Sequence, residues 1–515
     1  MSRLSRFTSG ISASYIGVLA SIAYSLALVP IGLRYLGAEQ FGLWMLLLQA
    51  SGYLSLIEMG VFGSVARILI DYKDSKGSSA YVEVVAAGSA ILVIQGVLIT
   101  GICWLLAPLV IRGFIIPEAL HDTATYLFIF LGLSAGLATC FKIFSAILYA
   151  NQRIDLVVLF QATSPLLSLA IIWPLLAAGY GLKALPWSFL PPVILLSAIS
   201  WIACHRLGLL PSKTRFSDIR FARVRELFKL GADFFLINIG AQLLEASQLM
   251  IVSRTMGLTA VATWSVSTKL FALLYQLTSK VENTAVVFFS EMMVRGEQAK
   301  LQVSFRKMYQ FTGSLAVCGM LAAVAVNPYF VTVWAGTDVL WPSINNWLIA
   351  ALLILNLLLR CHTDFAMHTK QIGLLRYLYF FESLAFVIIA LWAAPRLGFA
   401  GISAAAILCA LVFRSAYAVS RTATYFHVPC VSVAFQWVAF LGLPALAMAL
   451  IALFIPWLVD FLPTLLARAS AAAAITSIAA TALLCTVGLP ANLRHAFHGQ
   501  VRKLSASYLR PLLKP

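Results

Sequence analysis

Charge is scarce in this sequence. Only 11% of its 515 residues are Asp, Glu, Lys or Arg, and acids are the rarer sign, 19 against 36 bases. A water-soluble domain carries roughly a quarter charged residues, so a soluble enzyme is excluded. Paired cysteines are missing as well. The eight cysteines contain no C-x-x-C pair and stand singly in or beside apolar runs, so they read as small core residues, not as a secreted disulfide framework. No glycine-rich phosphate loop, Walker sequence or D-x-D occurs, so no nucleotide is expected to drive the protein.

What is abundant is apolar side chain: 61% of residues are hydrophobic and the mean hydropathy is +0.93. The solvent for most of this chain is lipid. Fourteen apolar runs reach spanning length, among them Gly10 to Leu33, Phe41 to Ile68, Leu230 to Ser253, Leu258 to Ser290 and Trp347 to Met367. At about 20 residues each they leave only short connections and no room for a soluble domain. The N-terminal stretch Ile11 to Leu33 exceeds a signal-peptide core and lacks a small-residue cleavage site, so it is read as a span.

With the N-terminus placed inside, 28 of the 36 Lys and Arg fall on inner connections and 6 on outer ones, with Lys269 and Lys280 inside the run Leu258 to Ser290. This positive-inside bias predicts both termini in the cytoplasm and accounts for the net charge of +17 without nucleic acid. The richest inner segment, Arg206 to Lys229, alternates bases with Phe221, Val224, Leu227 and Phe228 at helical spacing. It reads as a basic amphipathic helix on the cytoplasmic leaflet, or as a plain connector whose charges fix topology.

That segment divides an internal repeat. Arg34, Gly37 and Trp44 recur as Arg254, Gly257 and Trp264 at an offset of 220, and Phe7 and Gly10 recur as Phe228 and Gly231 at 221. The expected architecture is an all-α polytopic membrane protein of about 14 transmembrane helices. Two six-helix bundles, related by a pseudo-twofold axis along the membrane normal, precede two C-terminal helices. The expected divisions are 1–205 and 230–428 for the lobes, 206–229 for the connector, 429–490 for the added helices and 491–515 for a basic cytoplasmic tail.

The stretch Ser14 to Gly37, the turn Arg34-Tyr35-Leu36-Gly37-Ala38-Glu39-Gln40-Phe41-Gly42-Leu43-Trp44, the segment Glu58-Met59-Gly60 with Ala66-Arg67, and Tyr149-Ala150-Asn151-Gln152-Arg153 resemble bacterial oligosaccharide flippases of the Wzx type. These belong to the multidrug/oligosaccharidyl-lipid/polysaccharide exporter superfamily. The likeness is sharpest over roughly the first 155 residues. It implies a secondary transporter of the bacterial inner membrane that turns an undecaprenyl-pyrophosphate-linked oligosaccharide from the inner to the outer leaflet by alternating access. O-antigen, capsule or exopolysaccharide assembly would be its setting, with a polysaccharide polymerase and glycosyltransferases as partners.

A lipid-linked pyrophosphate calls for cations and hydrogen-bonding groups in a wet cavity, so charges inside spans are the place to look. Ser265, Lys269, Gln276, Lys280 and Asn283 recur at intervals of four, seven, four and three, one polar stripe on a helix. Lys269 lies roughly 16 Å below the outer end of its run, deep for snorkelling, whereas Lys280 can also reach the inner interface. Asn238, Gln242 and Glu245 share one helix face, as do Ser51, Ser55 and Glu58. Glu58 and Glu245 are candidates for proton or sodium coupling, the only cofactor-like role expected. The competing reading is a static pair of Glu245 with a lysine, or a hydrated Glu58 near the inner surface. Asn356, Arg360 and Asp364 follow at four-residue spacing, and Lys142 occupies the equivalent place in the first half. Arg360 and Lys142 read either as symmetric phosphate contacts or as topology anchors.

Enzyme signatures fail. Gly132-Leu133-Ser134-Ala135-Gly136 fits a nucleophile-elbow pattern but falls inside an apolar helix, where small residues serve close packing. Cys361, His362 and His368 match no zinc spacing, so no metal is expected. Two rivals to the flippase stay open: a membrane polymerase or ligase acting on the same lipid carrier, and a small-molecule exporter of the same superfamily. Replacing Lys269 by Ala should abolish translocation while leaving expression intact; normal flipping by that variant, measured in proteoliposomes, would retire the assignment of the stripe.

Overall fold

Backbone placed in hydrocarbon has no water to bond to, and a helix satisfies its own amides within one segment. The computed structural model describes residues 3–72, 75–211, 219–368 and 373–488. It is 89% helical, with no strand among the described residues. In chain order the helices are α1 (Arg3–Ser51), α2 (Val61–Asp71), α3 (Ser79–Arg112), α4 (Glu118–Ala150), α5 (Ile154–Ala177), α6 (Leu185–Arg206), α7 (Phe221–Met256) and α8 (Leu258–Ser267). There follow α9 (Lys269–Val294), α10 (Gln298–Ala335), α11 (Ile344–His368), α12 (Leu375–Leu397), α13 (Phe399–Cys409), α14 (Ala416–Tyr425), α15 (Cys430–Val459) and α16 (Leu465–Leu483).

Among the described residues twelve helices are long and apolar enough to cross a membrane, or up to 13 if Leu258–Ser267 and Lys269–Asn283 form one span. The fourteen read from the sequence are therefore not reproduced as a count, and the differences have local causes. The first spanning helix, Gly17–Glu58, is 42 residues long and contains Gly37 at φ 72, ψ 173. Gly257, between α7 and α8, has φ 83 and ψ −178. Only glycine occupies that region without strain, so the repeat legible as Arg-x-x-Gly has a backbone counterpart at both positions.

The expected run Phe41 to Ile68 is not one helix. α1 gives way to a tight 3-10 turn at Gly52–Glu58, and Met59 (φ 49) and Gly60 (φ 72) then take left-handed conformations before α2 begins. Two successive left-handed residues cannot continue a right-handed helix. The expected run Leu258 to Ser290 breaks at Thr268, so Ser265 lies on α8, apart from Lys269, Gln276, Lys280 and Asn283 on α9. The Ser267 carbonyl freed by that break accepts from Asn327 Nδ2 at 2.9 Å, and Asn327 Nδ2 also donates to Asn346 Oδ1 at 2.8 Å. Connector residues 221–229 are the first turns of α7 and not a separate helix. Residues 212–218 of the connector and the basic tail 491–515 lie outside the described residues.

The chain divides into two compact units: residues 1–266 with Tyr379–Gly398, and residues 267–378 with 399–515. In the first, α2, α3 and α4 enclose a core of Val61, Val65, Leu69, Tyr81, Leu92, Ile143 and Ile147. Tyr81 Oη donates to the Leu209 carbonyl at 2.7 Å. In the second, Phe289, Leu301, Phe305 and Phe365 form a smaller aromatic core against Tyr425 and Phe426. Five cysteines are buried as expected of core residues, but Cys430 is exposed.

The seam between α3 and α4 explains the Gly132–Gly136 pattern. A Cβ at Gly132 would overlap Cys103, and Cβ atoms at Gly96 or Gly136 would overlap the backbone oxygen of the other. Ser134 Oγ is spent on the Phe130 carbonyl at 2.9 Å, so the motif serves close helix approach. Gly136→Leu should destabilise the protein by about 1–3 kcal/mol or more through overpacking, read as a lower unfolding temperature in detergent. Gly101→Ala, inside α3 and where a Cβ meets nothing within 4 Å, should not lower that temperature and should raise it slightly.

Candidate functional site

The 3-10 turn that interrupts the second predicted span has a chemical consequence. It ends at Glu58, whose carboxylate enters a cavity of about 330 Å³ within the first unit. Lys142 Nζ on α4 lies 2.5 Å from Glu58 Oε2, and Thr139 Oγ1 donates to Oε1 at 3.3 Å. Gln95 Nε2 on α3 donates to the Glu58 carbonyl at 3.2 Å, holding the turn from a third side. The Lys142 ammonium also sits 5.3 Å from the centroid of the Phe62 ring on α2. The remaining wall mixes hydroxyls and an amide, from Ser51 and Ser55, Gln161 on α5, and Ser197 and Ser200 on α6, with apolar side chains such as Phe141, Phe160 and Leu196. Glu58 keeps 17% and Lys142 36% of side-chain surface exposed, and both line the cavity.

Ser55 and Glu58 also line a second cavity of about 550 Å³, walled by Phe62, Ser64 and Arg67 of α2 and by Phe235, Asn238, Ala241 and Gln242 of α7. Gly52 lets Gln242 come close, since a Cβ there would stand 2.6 Å from the amide nitrogen. Four of the residues singled out in the sequence thus line these two cavities: Glu58, Lys142, Asn238 and Gln242. Glu245 does not. It is exposed and lines neither cavity, while its carbonyl accepts from Gln49 Nε2 at 3.2 Å.

A second cluster is built within the second unit. Arg360 Nε on α11 lies 3.1 Å from Asp364 Oδ2 and 3.4 Å from Glu282 Oε2, and its Nη2 donates to Asn283 Oδ1 at 2.9 Å. Glu282, on α9, is only 1% exposed, and its other oxygen accepts from Cys361 Sγ at 3.1 Å. Arg414, in a π-helical turn after α13, donates from Nη2 to Asn356 Oδ1 at 2.8 Å. Arg360 therefore has two of its nitrogens engaged by neighbours. Lys269 and Lys280 are half-buried and Gln276 is exposed on the same helix.

Sequence reasoning missed Glu282, Thr139, Gln161 and the role of Arg67. Thr139 carried a usable signal, three residues before Lys142 on the same helix face. Glu282 sits one residue off the polar stripe, a position periodicity assigns to the packed side.

A family model described as "Polysaccharide biosynthesis protein" matches residues 33–341. No curated protein sequence matches the chain. Among solved structures it is similar to the lipid II flippase MurJ in an inward closed conformation, with 12% identity, TM-score 0.72, and coverage of 98% of this chain and 99% of that one. An inward-facing multidrug resistance MATE transporter of the MOP superfamily is similar at 12% identity and TM-score 0.62, covering 81% and 98%. A MOP superfamily transporter from Pyrococcus furiosus follows at 15% identity and TM-score 0.52, covering 82% and 94%. These likenesses place the fold; neither family nor fold supports the polymerase or ligase alternative.

Removing one charge of a partly buried pair leaves the other uncompensated. Lys142→Met should lower stability by about 1–2 kcal/mol, discounted for partial exposure, and adding Glu58→Gln should recover part of the loss. Thermal unfolding of the two single variants and the double variant measures the coupling; strict additivity would show that the pair contributes nothing.

Proposed function

The chain belongs to the polysaccharide biosynthesis protein family, and on that footing we propose that it translocates an undecaprenyl-pyrophosphate-linked oligosaccharide across the bacterial cytoplasmic membrane. The observation that carries this reading is the pair of adjoining cavities meeting at Glu58, with Lys142 on one side and Arg67 on the other. A pyrophosphate needs cations at short range, and arginine offers it two parallel donors. The serine hydroxyls and the Asn238 and Gln242 amides suit a glycan.

In the resting geometry Lys142 is neutralised by Glu58. An arriving diphosphate competes with Glu58 for the ammonium. A proton or cation taken up by the carboxylate releases Lys142 to the phosphate, and its departure restores the pair. Glu58 thereby couples ion binding to substrate binding, and in the second half Lys269, Lys280 and Arg360 are the cations offered to the substrate. Alternating access of two related halves moves the headgroup while the lipid chain stays in the bilayer. The fold shared with multidrug transporters favours one rival, export of a small molecule.

Proteoliposomes loaded with fluorescent undecaprenyl-pyrophosphate-linked oligosaccharide test this. The wild type should expose the glycan to an external glycosidase, and Arg67→Ala or Lys142→Ala should slow that exposure about tenfold, the worth of one charge-assisted phosphate contact. Drug efflux by the wild type without glycan exposure would replace the flippase by the exporter.

A further inference from the structure

A third cavity in the first unit has the opposite character. It measures about 570 Å³ and is lined by Leu56, Ile57 and Met59 of the turn, by Ala90, Ile91, Ile94, Gln95 and Leu98 of α3, and by Val224, Phe228 and Phe235 at the start of α7, with Ile219 before it. Gln95 is the one polar residue of the wall, and its amide nitrogen is spent on the Glu58 carbonyl at 3.2 Å.

A convex apolar face of a spanning helix needs no explanation, because acyl chains cover it. A concave one of this size is in the range that encloses a ligand segment. Its position is the informative part. The apolar groove and the cavity holding Arg67 share Leu56, Met59 and Phe235, and that cavity shares Ser55 and Glu58 with the one holding Lys142. Three adjoining spaces within one unit therefore share wall residues: two mix charged, polar and apolar side chains, and the third is apolar but for Gln95. The turn Gly52–Glu58 is common to all three walls.

We infer that the groove between α3 and the start of α7 holds the first isoprene units of the substrate's polyprenyl chain, while the diphosphate lies beside Arg67 and Lys142. This rests on the reading of the substrate given above. One molecule with an anionic head and a long hydrocarbon chain matches cation-bearing cavities set beside an apolar groove; a phospholipid shares that outline, and selectivity for a polyprenyl chain over diacyl tails is what the paired probes read. Met59, left-handed at φ 49, sits at the junction of groove and cation cavity, where head and chain of the ligand join.

The full-length protein in proteoliposomes is labelled with a diazirine-bearing undecaprenyl pyrophosphate and, separately, with a diazirine-bearing phosphatidylglycerol. Cross-linked peptides are then mapped by mass spectrometry. The polyprenyl probe should label α3 between Ala90 and Leu98 and α7 near Phe228, the phospholipid should not, and unlabelled undecaprenyl phosphate should compete. Ile94→Trp fills the groove from a position 59% exposed, so folding tolerates it. Excluding even about two methylene groups should weaken labelling about tenfold. Ala90→Phe is the second variant, with monodispersity checked for each. Equal labelling by both probes, or labelling indifferent to both variants, overturns the groove. A wild type that flips the oligosaccharide yet shows no groove labelling sinks only this inference. Groove labelling by a wild type that flips nothing sinks the functional reading instead.

Discussion

A carboxylate in a membrane must find a cation or water inside the protein, because hydrocarbon offers neither. Much of the site architecture follows from meeting that demand twice. In the first unit Glu58 is met by Lys142, and in the second Glu282 is met by Arg360. Each acid comes from the second long segment of its half and each base from the fourth, and both separations fall within a helical turn or so of the 220-residue repeat. The two pairs are not equal. Lys142 opens onto a cavity, while Arg360 is also held by Asp364 and Asn283. The two halves thus carry an acid–base pair at matching places, and it is the one in the first half that lines a cavity.

Much of the fold was legible in the sequence for a simple reason: lipid permits few solutions, so hydropathy speaks directly about helices. Gly37 and Gly257 were legible because their conformation excludes other residues. The break at Thr268 was not, since no glycine or proline marks it and the freed Ser267 carbonyl is satisfied by Asn327, 60 residues on. The split of the second run was half visible. Gly60 stood in the sequence, but nothing local announced that Met59 would also turn left-handed.

The candidate site divides the same way. Glu58 and Lys142 stand out as charges inside apolar runs, and their pairing is a matter of tertiary approach that no spacing encodes. Asn238 and Gln242 share a face by periodicity and do meet a cavity, yet Glu245, on that same face, stays outside it. A helical face read from sequence covers several turns, while a cavity covers two. Glu282 shows the converse: a packed position carrying a charge, concealed because its partner Arg360 lies 78 residues away.

The glycine seam between α3 and α4 has a mechanical implication. With backbone against backbone at Gly96 and Gly136 and no side chain as a cushion, the two helices behave as one strut. Gln95 rides on one member of that strut, and Thr139 and Lys142 ride on the other. The turn that bears Glu58 is thus gripped from one closely joined support, at its carbonyl by one helix and at its carboxylate by the other.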